Sequence, residues 1–132
     1  MTDVLNVAII GGSPTAKQLV VDFVSRPFVN IVGVADVDPE SPAAEVAQRY
    51  GIPFTTDIHD FADLATAPDI LIDVCGRPHV HPAIDETFPP LEDGGPSVVY
   101  DTVARLLISI AADAATLAPA CRVFSEGTQE AS

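Results

Sequence analysis

Apolar residues come along this chain in short blocks separated by turn signals. Residues 4–10 (Val-Leu-Asn-Val-Ala-Ile-Ile) form a near-continuous apolar run, the pattern of a parallel strand buried on both faces. A helix is predicted over residues 17–25, with Ala16, Leu19, Val20, Phe23 and Val24 as its apolar stripe and Lys17, Gln18 and Asp22 largely opposite. Arg26-Pro27 ends it, because the residue before proline is pushed out of the α region. Residues 30–35 read as a second strand that ends on Asp36.

The same alternation continues. Ser41 is placed to cap a helix over residues 42–50, with Pro42 at its first position and Gly51 where a left-handed residue is wanted. A short edge strand containing Pro53 is expected over residues 52–56. Asp57 then caps a short helix that turns Ile58, Phe61 and Leu64 inward. Residues 70–75 form the fourth strand, 76–81 a loop and 84–88 a short helix. Residues 89–96 are a breaker-rich loop and 97–100 a fifth strand.

A long last helix, capped by Asp101 or Thr102 and running to about residue 117, carries Val103, Leu106, Leu107, Ile110 and Ala114 as its expected core stripe. Pro119 stops it, residues 122–124 could add a strand, and 126–132 read as a flexible tail after a single domain over 1–125. Strands alternating with helices predict an α/β fold, a mostly parallel, doubly wound sheet of order 3-2-1-4-5. Its ligand crevice lies between strands 1 and 4.

Strand, glycine turn, helix, strand and acidic residue follow one another here in the order of a dinucleotide-binding βαβ unit. In the spacing G-x-G-x-x-G the positions are Gly11, Ser13 and Ala16. Gly11 supplies the bend and Ala16 is a small replacement for close helix packing. Ser13 offers an N–H and a hydroxyl to a phosphate, although its Cβ costs clearance. Pro14 removes one donor from the helix N-terminus, whose N–H groups otherwise attract anions. Gly11, Gly12, Ser13, Pro14 and Thr15 are therefore the candidate anion-binding turn. Asp36, 25 positions after Gly11, is the candidate ribose-binding acid. A carboxylate there would repel a 2′-phosphate and favour NAD over NADP. The plainer reading is that Asp36 opens the turn Asp-Val-Asp-Pro.

Other candidate chemistry is thinner. Gly76 and Arg77 would face the crevice from the loop after strand 4, where Arg77 could pair a ligand phosphate or carboxylate, or an internal acid. Asp73 is a polar residue within an apolar run, aimed either at the crevice or at a frayed side. His79 and His81 lack a third fixed ligand, so no metal is expected. Cys75 and Cys121, 46 positions apart, read as reduced thiols. Neither a Gly-x-Ser-x-Gly elbow nor a P-loop lysine is present, which removes hydrolase and NTPase readings.

Charge narrows the partners. Among 132 residues, 19 acids face six bases, for a net charge of −13, and Lys17 is the only lysine. That balance argues against nucleic acid and anionic membranes. It resembles the composition of proteins from salt-loving archaea; an ordinary acidic bacterial protein is the alternative. Apolar residues make up 48% of the chain, enough for a folded core. No apolar run reaches the roughly 20 residues needed to span a bilayer, and Met1-Thr-Asp-Val lacks a basic leader, so a cytoplasmic location is expected.

The first strand, the glycine turn, Val34-Ala-Asp-Val-Asp-Pro39 and Cys75-Gly-Arg-Pro-His-Val-His81 together resemble the nucleotide-binding half of the glucose-fructose oxidoreductase and inositol dehydrogenase family. The resemblance implies NAD as cofactor and places His81 where that family carries a loop histidine. It also implies a Glu-Lys-Pro element after strand 5, with a lysine that assists hydride transfer. Here that place reads Tyr100-Asp101-Thr102-Val103-Ala104.

A closer resemblance is to Rossmann-like domains in front of some bacterial sensor kinases. It is carried by Ile10-Gly-Gly12, Val34-Ala-Asp36, Gly76-Arg-Pro78 and Val99-Tyr-Asp-Thr-Val-Ala-Arg-Leu106. These resemblances imply a stand-alone Rossmann domain that binds NAD or a small metabolite in a sensing role, without catalysis of its own. The alternatives are an oxidoreductase subunit lacking its substrate domain and an interaction protein whose site has decayed. A homodimer through the last helix and a signalling partner protein are the expected assemblies.

Overall fold

In the computed structural model, the description covers residues 4–74, 80–88 and 95–111. The expected strand end at residue 75, the expected loop residues 76–79 and 89–94, the expected continuation of the last helix beyond 111, the possible strand over 122–124 and the tail lie outside it. Five strands, β1 (Leu5–Ile10), β2 (Val29–Ala35), β3 (Phe54–Thr55), β4 (Ile70–Asp73) and β5 (Ser97–Val99), make one sheet of order β3-β2-β1-β4-β5. Every neighbouring pair is parallel. This is the doubly wound order, and it reverses between β1 and β4.

Helices α1 (Pro14–Val24), α2 (Pro42–Arg49) and α4 (Asp101–Ala111) cover one face of the sheet, while a 3-10 helix (Ile58–Asp63) and α3 (Val80–Thr87) cover the other. Val7 and Ile9 of β1 point into the first layer with Leu19, Val20, Val46 and Ile108. Ala8 and Ile10 point into the second with Phe61, Leu71 and Ile84. The period-two alternation of a strand buried on both faces is thus realised in β1.

Local caps form as their sequences dictate. The Ser41 hydroxyl accepts from the Ala44 N–H at 3.2 Å, Pro42 takes the first turn of α2, and Gly51 follows at φ 71°. Asp57 caps the 3-10 helix by accepting from the His59 N–H at 3.0 Å. Phe61 is buried there, with Ile58 and Leu64 partly buried against the same core.

Several expectations are corrected. α1 begins at Pro14, three residues before the apolar pattern suggests, because Ser13 and Pro14 are its N-cap and first turn. Val24, expected inside, is exposed, and Val21 is packed in its place. α3 begins at Val80, so His81 stands in a helical turn and not in an extended loop; its side chain and His79 lie outside the described residues. Asp73 is not at a frayed edge: it is 2% exposed and paired in register with Ile10.

The largest correction concerns α4. Its buried residues are Ala104, Ile108 and Ser109, the first two packed in the core layer on the sheet. Val103, Leu106, Leu107 and Ile110, expected in the core, are on the outside. Small residues let the helix lie close to the narrow β4–β5 end of the sheet, where β5 has only three residues.

One irregularity matters for the site. Val7 pairs with Ile31 but Ala8 pairs with Gly33, so β2 carries one extra residue, Val32. Gly33 lies under Phe61: a Cβ added there would stand 3.0 Å from the ring.

Candidate functional site

At the carboxyl edge of the sheet the chain leaves β1 through Gly11, whose φ of 134° is open to glycine and costly for other residues. The Gly11 N–H donates to the Ala35 carbonyl at 2.8 Å, which ties the turn to the end of β2. Gly12 comes next, and its carbonyl accepts from the Ala43 N–H at 3.3 Å. A Cβ on Gly12 would fall 2.4 Å from Asp36 Oδ2 and 2.6 Å from Ser41 Oγ. The Asp36 carboxylate therefore rests directly against the backbone of the glycine turn, in space that only glycine leaves.

Ser13 Oγ accepts from the Ala16 N–H at 3.2 Å, and the Ser13 carbonyl accepts from the Lys17 N–H at 2.9 Å. The hydroxyl thus spends its oxygen on the cap but keeps its own proton. Pro14 sits at a helix position whose N–H has no intrahelical partner, so its missing donor costs α1 nothing. Among the described residues, the amides of Gly12 and Ser13 make no hydrogen bond. Two N–H groups and one hydroxyl thus stand in the turn at the N-terminal, positive end of α1.

Asp36 has a structural part in the turn after β2. One oxygen, Oδ2, accepts from the Asp38 N–H at 3.1 Å and so opens the turn. The same carboxylate is half-buried beside Gly12. Gly11, Gly12, Ser13, Pro14, Thr15 and Asp36 are all brought to this edge. Gly76 and Arg77 lie outside the described residues. What sequence reasoning missed is the part of Ser41 here: its capping hydroxyl forms the second wall around Gly12, beside Asp36. The paired glycines were the one available signal, since a second glycine is superfluous for the bend alone.

Across the crevice, Tyr100 follows β5 at the place of the expected lysine. Loss of water around its phenol, and then the carboxylates of Asp85 and Asp73, hold its pKa above the ordinary 10. A phenol so held is not a base near neutral pH. On the second face of the sheet, His59 bridges two elements. Nδ1 lies 2.8 Å from Asp57 Oδ1 and Nε2 lies 2.8 Å from Glu86 Oε1 of α3. Donating to both requires the imidazolium, and Glu86 foremost, then Asp57, raise the His59 pKa. Among the described residues no group of three His, Cys, Asp or Glu side chains could hold a metal ion.

The architecture is a Rossmann-type α/β fold. No protein-family model matches the chain, and no curated protein does. Solved structures do. GenD2 from gentamicin A biosynthesis, in complex with NAD, is 19% identical with a TM-score of 0.60, over 86% of this chain and 32% of that one. Apo scyllo-inositol dehydrogenase from Lactobacillus casei is 14% identical with a TM-score of 0.59, over 86% and 34%. Myo-inositol 2-dehydrogenase from Lactobacillus plantarum is 21% identical with a TM-score of 0.56, over 84% and 33%. Identities this low establish the fold. Two of these proteins are inositol dehydrogenases, the group whose nucleotide-binding half the sequence resembles. The chain spans about a third of the length of each.

Proposed function

We propose that this chain binds NAD(H), or a closely related dinucleotide, at the carboxyl edge between β1 and β4, in a sensing or regulatory role and without hydride transfer of its own. The observation that carries the reading is the Asp36 carboxylate seated against Gly12, beside the unpaired amides of Gly12 and Ser13. In this arrangement the Gly12 and Ser13 amides and the Ser13 hydroxyl hold the pyrophosphate at the start of α1. Asp36 accepts the ribose hydroxyls and repels a 2′-phosphate, which favours NAD over NADP. Gly76 and Arg77 are proposed as further contacts from the loop after β4. The nicotinamide of a bound dinucleotide supplies redox chemistry, but Tyr100 and Asp101 stand where a lysine would be needed to move the substrate proton. The sensing role draws its support from the sequence resemblance.

A second reading is favoured by length. The chain spans about a third of the dehydrogenases it is similar to, so this reading is an NAD-dependent oxidoreductase whose substrate-binding part lies outside these 132 residues.

The test is a thermal-shift panel in molar KCl with NAD, NADH, NADP, FAD, coenzyme A and S-adenosylmethionine. Ligand at 100 times its dissociation constant stabilises the folded state by about 2.7 kcal/mol. NAD is expected to raise Tm, and Asp36→Ala to abolish the rise. No shift with any nucleotide overturns the binding claim in favour of a decayed site. Oxidation of a polyol with NAD by the isolated chain overturns the non-catalytic claim.

A further inference from the structure

The outer face of α4 has no cover among the described residues. Val103, Leu106, Leu107 and Ile110 are 48%, 50%, 38% and 68% exposed. Their spacing of three, four and seven residues makes them one stripe along the helix. The stripe runs on into an apolar groove of about 300 Å³ that Leu107 and Ile110 share with Leu5 and Phe28. Those two are themselves 44% and 50% exposed.

We propose that this face pairs with the same face of a second copy of the chain about a two-fold axis. Three features of the molecule select that occupant. The first is area. Six large side chains, each about half exposed, leave on the order of 500 Å² of contiguous apolar surface, near the upper end of what monomers leave uncovered. Set against the roughly 800 Å² that each partner gives to a standard interface, this matches the apolar share of homodimer contacts.

The second is charge. From Thr102 to Ile110 there is no carboxylate, in a chain that holds 19 acids, and the one charged residue is Arg105. Two copies at −13 each repel over most approaches, so an acid-free face is where they meet at least Coulombic cost. The third is placement. α4 packs on α1 on one side and on β4 beneath, and no helix among the described residues flanks it beyond the sheet edge at β5. A stripe with this spacing is self-complementary when two such helices cross on a two-fold axis.

The experiment is sedimentation equilibrium of the full chain in molar KCl at about 100 µM, well above the micromolar dissociation constant expected of a modest interface. The expected mass is twice 13.8 kDa. Leu106→Asp is expected to raise the dissociation constant about thirty-fold or more, as for a central interface residue, with an unchanged circular dichroism spectrum. Leu106→Gln, which keeps a good helix former, carries the test if the aspartate variant fails to fold. Tyr50→Ser, at the opposite edge of the sheet, is expected to leave the dimer intact. A monomeric wild type overturns the proposal, and is the result if residues 112–132 or an unrelated protein cover the face. A dimer that survives Leu106→Gln, or that Tyr50→Ser dissociates equally, places the interface elsewhere and overturns it too.

Discussion

α1 and α4 lie side by side on one face of the sheet, and each carries an apolar stripe. α1 has α2 on one flank and α4 on the other, and it turns Ala16, Leu19 and Val20 fully inward. Among the described residues α4 stands at the end of the row, against β4, and turns Val103, Leu106, Leu107 and Ile110 outward. The difference teaches that helical periodicity identifies an apolar face but not its direction. Direction is set by how much surface the neighbours offer, and the β4–β5 end offers room only for Ala104, Ile108 and Ser109.

The contrast can be tested in order of expected effect. Leu19→Ala opens a cavity at a fully buried site and is expected to cost about 2–5 kcal/mol in urea unfolding. Leu106→Ala, measured at protein concentrations low enough to keep the chain monomeric, is expected to cost no more than about 0.5 kcal/mol. Equal losses would show that α4 buries its stripe as α1 does.

Gly12→Ala comes next. The new methyl meets both Asp36 and Ser41, so both side chains or the turn itself must shift. An expected loss of about 1–3 kcal/mol, as for other overpacked sites, should come with loss of the NAD-induced thermal shift. A variant that keeps both stability and shift would show that the turn tolerates a side chain and that the close contact is dispensable.

The smallest effect lies on the other face, where His59 ties the 3-10 helix to α3. The protonated form of His59 is favoured in the folded state, so its contribution is full below the ordinary value near 6.5 and fades as pH rises through the raised one. Asp57 is shifted down, chiefly by the His59 backbone N–H and then by its ring, and its share is lost as pH falls through the lowered value. His59→Gln should therefore reduce Tm slightly between pH 5 and 6, as differential scanning calorimetry can measure, and leave it unchanged near pH 9. Both groups are exposed, so a large or pH-independent drop would point to lost packing instead.

What was legible in the chain was local. Ser41, Pro42 and Gly51 bound α2, Asp57 caps the 3-10 helix, and continuous apolar runs mark the buried strands, because each signal acts within a few residues. Strand order followed from the regular alternation of strands with crossover helices. The start of α1 was misplaced because Ser13-Pro14 also suits a phosphate-binding turn, and no local pattern separates the two uses. The walls around Gly12 come from residues 24 and 29 positions further on, and the His59–Glu86 contact spans 27 positions. Contacts of that range depend on tertiary placement; the spacing of Asp36 from the glycine turn and the paired glycines hint at the first, and nothing local marks the Ser41 wall or the His59–Glu86 contact. The outward turn of α4 belongs with these, since it depends on the narrow end of the sheet.

The extra residue in β2 reaches further than its own neighbourhood. Val32 and Gly33 both face the layer of the 3-10 helix, so the side-chain phase of the strand is advanced by one. Val34 is thereby returned to the α1–α2 layer, and Asp36, two residues on, follows it to that side. Strict alternation from Ile31 would have aimed the carboxylate at the opposite layer, away from Gly12. The irregularity in the interior of the strand thus decides which way a polar group at its end is aimed: ironing out the bulge with all its residues kept would turn the acid around without changing any residue in the site, whereas deleting Val32 would leave the acid where it is.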